Sequence, residues 1–541
     1  MDVKQFIKIL SQSLNTDDLF ANDELLDLIT HRGNYGRTVG QEIAWKYDEQ
    51  TLSNFFAEVV CYELETLPEV LECVDDSGRS IGHYIAEFKG FAACKAFFEL
   101  ILQHAPNSLI RVLEALMMDG WSIVHLVARF QDSNTMNYLL DLIHQEAPHL
   151  LPKLLKLQVE LGWNLGILVA RYQKPQSVIH FLEKVLAVAP DSLRYTLKDG
   201  RHIGHLLLEF QNEKVARFYF EKVLPKLPVE VQIELVTAAS NTGWNMGLML
   251  AHQYSGKLLI HYFDLIVKLG LVTKLIKETT IDKRHLGHYI AQYKTFDELK
   301  LFVELIQQHC PHLLSELLTS TMTNGCHMGH TITFHQNLPA LKFYLNTLIA
   351  CDKSQVAKVV TAKVNNQVNM AHYIAEKMNQ EALQYFFKFI IDNCPEVLSE
   401  VLQQTNATND NVIDLIMQYQ PQSIGAIAFQ LIKANKPLGA PVYKQLKTHR
   451  MAVLDYISGL PATEQLQLID QIKDTKTPLG MYFNLKTDLI HKHFGSNNEL
   501  LTKLKEMKRV ATIQNIPSPF GTNKLVNLED WKDSSCHFER I

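Results

Sequence analysis

A short segment led by glycine recurs along this chain at intervals of about 42 residues, and that recurrence limits the possible folds more than any other feature. Gly36, Gly78, Gly120, Gly162, Gly200, Gly243 and Gly325 open copies, while Lys283 and Gln367 hold the same place in two others. A degenerate copy starts near Asn409. Six of the nine steps between starts are 42 residues long and the others are 38, 43 and 40, so one structural module repeats with small insertions and deletions.

Each slot of the module has a physical reading. The opening glycine suits a turn with positive φ. Two residues later stands a helix N-cap: Thr38, Ser80, Ser122, Asn164, Asn245, Asn369 and Asn411, with the weaker cap His202, His285 or His327 in three copies. An apolar residue then starts a first helix, followed by a small one such as Gly82, Gly166 or Gly204, which allows a neighbour to approach closely. A second helix is apolar at helical spacing, as in Phe97, Phe98 and Ile101. It ends near a proline placed 28 residues after the opening residue (Pro106, Pro148, Pro190, Pro228, Pro311, Pro395, Pro437), which starts a short third helix.

Composition sets the class. A hydrophobic fraction of 47% is ample for a continuous core, and a net charge of −6 argues against general nucleic-acid binding, which needs a basic face. The eight cysteines form no CxxC pair, which favours small core residues in a reducing compartment. No run approaches about 18 apolar residues, so no integral membrane segment is expected. The amphipathic N-terminus lacks the features of a signal peptide.

The segment DGWSIVHLVARF resembles an ankyrin repeat, whose glycine turn, Thr-Pro-Leu-His and alanine are echoed by Gly120, Ser122, Ile123, His125 and Ala128. The proline of that motif is replaced by an aliphatic residue or methionine, the unit is about nine residues longer, and a third helix stands in place of the β-hairpin finger. The resemblance implies an all-α fold: a right-handed α-solenoid of nine to ten helical repeats, ankyrin-like with an added third helix. Residues 1–35 are expected as an N-terminal helical cap, 36–440 as the array, 441–515 as a C-terminal helical cap and 516–541 as a flexible tail. Long, divergent chains of this kind are similar to effectors that intracellular bacteria secrete into host cells. That likeness implies a cytoplasmic protein, or one delivered to host cytosol, with a host protein as partner.

Two series invite a functional reading. His83, His125, His205, His288, His330 and His372 recur, but a whole repeat separates each from the next, on the order of 10 Å, too far for shared metal ligation. A structural bond to neighbouring backbone, as the ankyrin resemblance implies, is the better account, so neither metal nor cofactor is expected. The slot after the turn residue reads Arg79, Trp121, Trp163, Arg201, Trp244 and Arg284, residue types enriched at interface hot spots. These six are the candidate partner-binding edge; the alternatives are a cation–π ladder between turns, or tryptophans folded onto the core. On the binding reading, replacing Trp121 and Trp163 with alanine abolishes partner capture and leaves thermal unfolding nearly unchanged. Motif scanning finds none of the common catalytic signatures. The expected function is a protein–protein interaction scaffold, not an enzyme, with no nucleic acid as partner. The alternatives are an enzyme with an unrecognised site in the C-terminal region or concave groove, and a protein that assembles with itself.

Overall fold

The computed structural model describes residues 29, 31–62, 64–159, 162–473 and 476–483. Most of the expected N-terminal cap, the later part of the expected C-terminal cap and the whole of the expected flexible tail lie outside the described residues. Among the described residues all regular structure is helical, and the only β pairing is in isolated bridges. No described helix is long and apolar enough to cross a membrane.

The module is three helices. In one copy they run Ile81–Phe88, Phe91–His104 and Leu109–Glu114, the third entered through a 3-10 turn at Pro106–Ser108. Proline supplies the preset φ for that turn and has no N–H to leave unsatisfied. The 38-residue step has a plain cause: its third helix is reduced to the 3-10 turn Pro190–Arg194. The chain divides into two compact units, Met1–Pro311 and His312–Ile541. That division falls inside the expected 36–440 array and not at either of its ends.

In the first unit, the first helices Val39–Lys46, Ile81–Phe88, Ile123–Phe130, Leu165–Tyr172, Ile203–Phe210, Met246–Gln253 and Leu286–Tyr293 pack each on the next. The second unit stacks Met328–His335, Met370–Lys377 and Val412–Tyr419 in the same manner. This is the stacked helical array that the period predicts.

The opening residue adopts positive φ in every copy, including Lys283, Gln367 and Asn409, which are not glycine. At Gly243 the constraint is double: φ is +82°, and a Cβ would lie 2.3 Å from the Thr279 carbonyl oxygen of the next turn. Gly243→Ala is expected to cost roughly 2–4 kcal/mol, read as a lower thermal midpoint by circular dichroism. An unchanged midpoint would mean that these turns do not stack. The turns bond tip to tip: Met118 N–H donates to Ser77 O (2.9 Å) and Asn241 N–H to Asp199 O (2.7 Å).

The His caps are stronger than the sequence suggests. His202 Nδ1 accepts the Gly204 N–H at 2.9 Å while its Nε2 donates to Leu235 O at 2.9 Å, in the third helix of the same repeat. His327 does the same with Gly329 (3.0 Å) and Val359 (3.1 Å). The imidazole therefore caps one helix and ties down another. It also explains the glycine that follows, since a Cβ on Gly204 would sit 2.7 Å from His202 Cε1.

A second device joins successive repeats. In several repeats the residue after the first helix turns back onto the preceding repeat and donates to carbonyls left open at a helix end. Gln131 Nε2 reaches Ala86 O (2.8 Å) and Lys89 O (2.6 Å). Gln173 reaches Ala128 O (2.8 Å) and Gln131 O (3.1 Å). Gln211 and, in the second unit, Gln420 repeat the arrangement.

Candidate nucleic-acid interface

The six residues of the expected edge stand one per repeat, but each is engaged within the fold. Arg79 pairs with Glu87 at 2.8 Å and Arg201 with Glu209 at 2.6 Å. Arg284 meets Asp282 at 3.1 Å and Gln292 at 3.2 Å. Trp121 is only 7% exposed and lies under Arg129, 5.2 Å from ring centre to guanidinium. Trp163 faces Arg171 in the same way at 5.0 Å, and Trp244 faces His252 at 5.5 Å. In each case one partner stands eight residues further on, at the end of the same repeat's first helix. The cation–π contacts of Trp121 and Trp163 thus form inside a repeat and not from slot to slot between turns, as the ladder alternative supposed.

The exposed feature is one the sequence reading passed over. Ten residues after the opening residue, the last position of the first helix is Phe88, Phe130, Tyr172, Phe210 and Tyr293 in five repeats of the first unit. These rings are 38% to 48% exposed, on a helix face that is otherwise polar. Large apolar side chains are thus held in solvent at this position in four successive repeats and, after Gln253, in one more. The recurrence was visible in the sequence, because an amphipathic helix has no core reason to end on an aromatic residue at its solvent-facing end.

Arg129 and Arg171 are interleaved with these rings. Arg129 lies 4.9 Å from the Phe130 ring, and Arg171 lies 5.6 Å from Tyr172 and 4.8 Å from Phe210 of the next repeat. Neither makes an ion pair among the described residues. The row is therefore positive at its middle, where the arginines are unpaired, and neutralised at the flanking repeats, where Glu87 and Glu209 meet Arg79 and Arg201.

Two open clefts flank this middle. One, of about 550 Å³, is walled by Arg37, Trp45, Arg79, Tyr84, Glu87 and Phe88. Its base is rigid: Arg37 Nε donates to Tyr84 Oη at 2.8 Å, and Tyr84 donates to Asp75 at 2.6 Å. Burial pushes the Tyr84 hydroxyl up to about 12. Burial works to raise Asp75 too, but hydrogen bonds from Tyr84, Ser77 and backbone hold it below the ordinary carboxylate value. The other cleft, of about 350 Å³, opens where Gln253 replaces the ring, beside Arg201, Glu209 and Trp244.

The recurring histidines lie behind this surface. His205 Nδ1 faces the His202 N–H (3.4 Å), and its Nε2 donates to Trp244 O (3.1 Å) of the next repeat. His330 donates likewise to Ala362 O (3.1 Å). Burial lowers His83, His125, His205, His330 and His372 to about 4, and holds His202 and His327 well below the ordinary value. They serve the stacking of repeats in the neutral form.

No protein-family model and no curated protein matches the sequence. Solved structures do. PUF-8 in complex with PBE-RNA is 10% identical, covering 77% of this chain and 99% of that one, with a TM-score of 0.31. APUM23-GGAAUUGACGG is 9% identical over 94% and 100%, with a TM-score of 0.28. PUF-6 in complex with 5BE13 RNA is 12% identical over 84% and 99%, with a TM-score of 0.20. Scores of this size liken the chain to them only as an array of helices, and the RNA is theirs. Two expectations are nonetheless corrected. The sequence pointed to a protein-binding scaffold and away from nucleic acid, whereas the structures found are RNA complexes. Net charge averages over the whole chain, while charge and exposed rings are arranged locally.

Proposed function

We propose that this chain binds single-stranded nucleic acid along the first-helix ends of its first unit, and acts by binding without catalysing a reaction. One observation carries the reading: Arg129 and Arg171, without carboxylate partners among the described residues, alternate with exposed rings in adjacent repeats. Every base has a π-face, so an aromatic row takes a strand whatever its sequence. First helices stacked about 8–10 Å apart suit one base per repeat. Stacking, and not charge, dominates in a chain of net charge −6. Two phosphate contacts on a single strand give a slope near −1.4 in log K against log salt, which is shallow.

Fluorescence anisotropy with labelled oligouridine tests this. Phe130→Ala and Tyr172→Ala are each expected to weaken binding roughly 5- to 150-fold. Arg129→Ala with Arg171→Ala should flatten the salt dependence. No binding of single-stranded RNA or DNA at low salt would end the reading, as would an unweakened Phe130→Ala, Tyr172→Ala double variant.

The repeat itself we read as ankyrin-like in its turn and helix start. Support comes from the isolated bridge Leu116↔Ser122 at the turn, and from the box in which Ser122 and His125 each accept the other's backbone N–H.

A further inference from the structure

The cleft of about 550 Å³ at the Arg37–Phe88 end of the aromatic row has a composition that the row lacks. Its walls include Trp45, whose ring already carries Arg37 at 4.2 Å and Lys46 at 4.5 Å, and the half-exposed ring of Phe88, which also belongs to the row, so a strand lying on the row runs into it. Two guanidiniums stand beside them. Arg79 uses Nη1 on Glu87 (2.8 Å), which leaves its Nε and Nη2 without partners among the described residues. Arg37 uses Nε on Tyr84 and keeps both terminal nitrogens. The Glu87 carboxylate lies at the same wall.

This set of groups selects among ligands. The carboxylates Glu87 and Asp119 match the two arginines that line the cleft, and Asp75 lies buried beneath Arg37, which disfavours a bare phosphate. A neutral ring with an apolar face, two adjacent acceptors and two adjacent donors fits. Guanine has that pattern: its O6 and N7 accept two hydrogen bonds from an arginine fork, and its N1–H and N2–H₂ donate to a carboxylate. Adenine offers a donor beside N7 and meets the fork badly.

We infer that this cleft is a guanine site, which holds a guanine base at one end of the bound strand with Arg79 and Glu87 reading its edges. The inference builds on the single-strand reading but has its own readout. Equilibrium dialysis of guanosine, adenosine and cytidine 5′-monophosphates should show guanosine monophosphate retained and the other two at least about fivefold weaker. Oligouridine with guanosine at one end should bind roughly 5- to 100-fold tighter than oligouridine alone, and guanosine at the opposite end should add nothing. Arg79→Gln or Glu87→Gln should remove the guanine gain and leave oligouridine affinity within about twofold of the unaltered chain. Equal retention of the three monophosphates, or no gain from guanosine at either end, overturns the site even if oligouridine binds. Selective retention of guanosine monophosphate by a chain that ignores oligouridine keeps the site and removes the single-strand reading instead.

Discussion

Lowering the pH from 7.5 to 4.5 is expected to collapse the thermal stability of both units, with most of the fall between pH 6.5 and 4. The cause is the set of histidines behind the turns. His83, His125, His205, His330 and His372 are held to about 4 by burial, which also holds His202 and His327 well below the ordinary value. Free histidine titrates near 6.5. Above that value neither the folded nor the unfolded chain is protonated at these sites, and they leave stability independent of pH. Below it the unfolded chain takes up a proton at each site while the folded chain refuses one until about pH 4. Stability therefore falls as pH falls, by up to about 1.4 kcal/mol per pH unit for each histidine. Four such sites in the first unit and three in the second add together within each, and over two pH units the loss exceeds what a marginally stable array tolerates. Carboxylates such as Asp75, held below their ordinary value, add a further loss only at lower pH, under about 4. Melting curves by circular dichroism at half-unit steps should show the midpoint dropping steeply below pH 6. Gln in place of His205 and His330 should make that drop shallower. A midpoint unchanged between pH 7 and 4.5 would contradict the buried, neutral histidines described here.

Trp121→Ala should destabilise the first unit by about 3–5 kcal/mol and lower its melting temperature by at least about 5 °C. The indole is 7% exposed, packs edge-on against the His125 ring at 6.2 Å and underlies Arg129. Removing it leaves a cavity next to a neutral buried imidazole and frees the guanidinium from its platform. Trp163→Ala should cost less, because that indole is only half-buried at the array surface. This is the reverse of the unchanged unfolding that an exposed binding edge implies. A Trp121→Ala melt within about 1 °C of the unaltered chain would restore that edge.

What could be read from the sequence follows from range. The turn residue, the cap three positions before the first buried histidine, and the proline before the third helix are set by local backbone geometry, so the period exposes them directly. The pairing of the turn slot with the residue eight further on is also local. Arg79 with Glu87, Trp121 with Arg129 and Arg201 with Glu209 form complementary sets that were legible but were missed, because each slot was followed down the array and not across its own repeat. The glutamines were harder. Gln131 and Gln173 look like ordinary polar residues at a helix end, and their acceptors lie more than 40 residues earlier in the chain. The site was missed for a different reason. Exposed Phe130 and Tyr172 look like the ends of apolar stripes until solvent is seen on their faces.

The glutamine bridges carry a consequence for how such a chain can lengthen or shorten. The first helices that end before Lys89, Gln131, Gln173 and Met378 borrow the donor that closes their ends from the glutamine of the module after them. Deleting a module in full hands that duty to the next glutamine and leaves no raw edge. A cut made just before Gln131 or Gln173 strands two or more carbonyls in an apolar setting, so evolution or an engineer can alter this protein in whole modules but not in fractions of one.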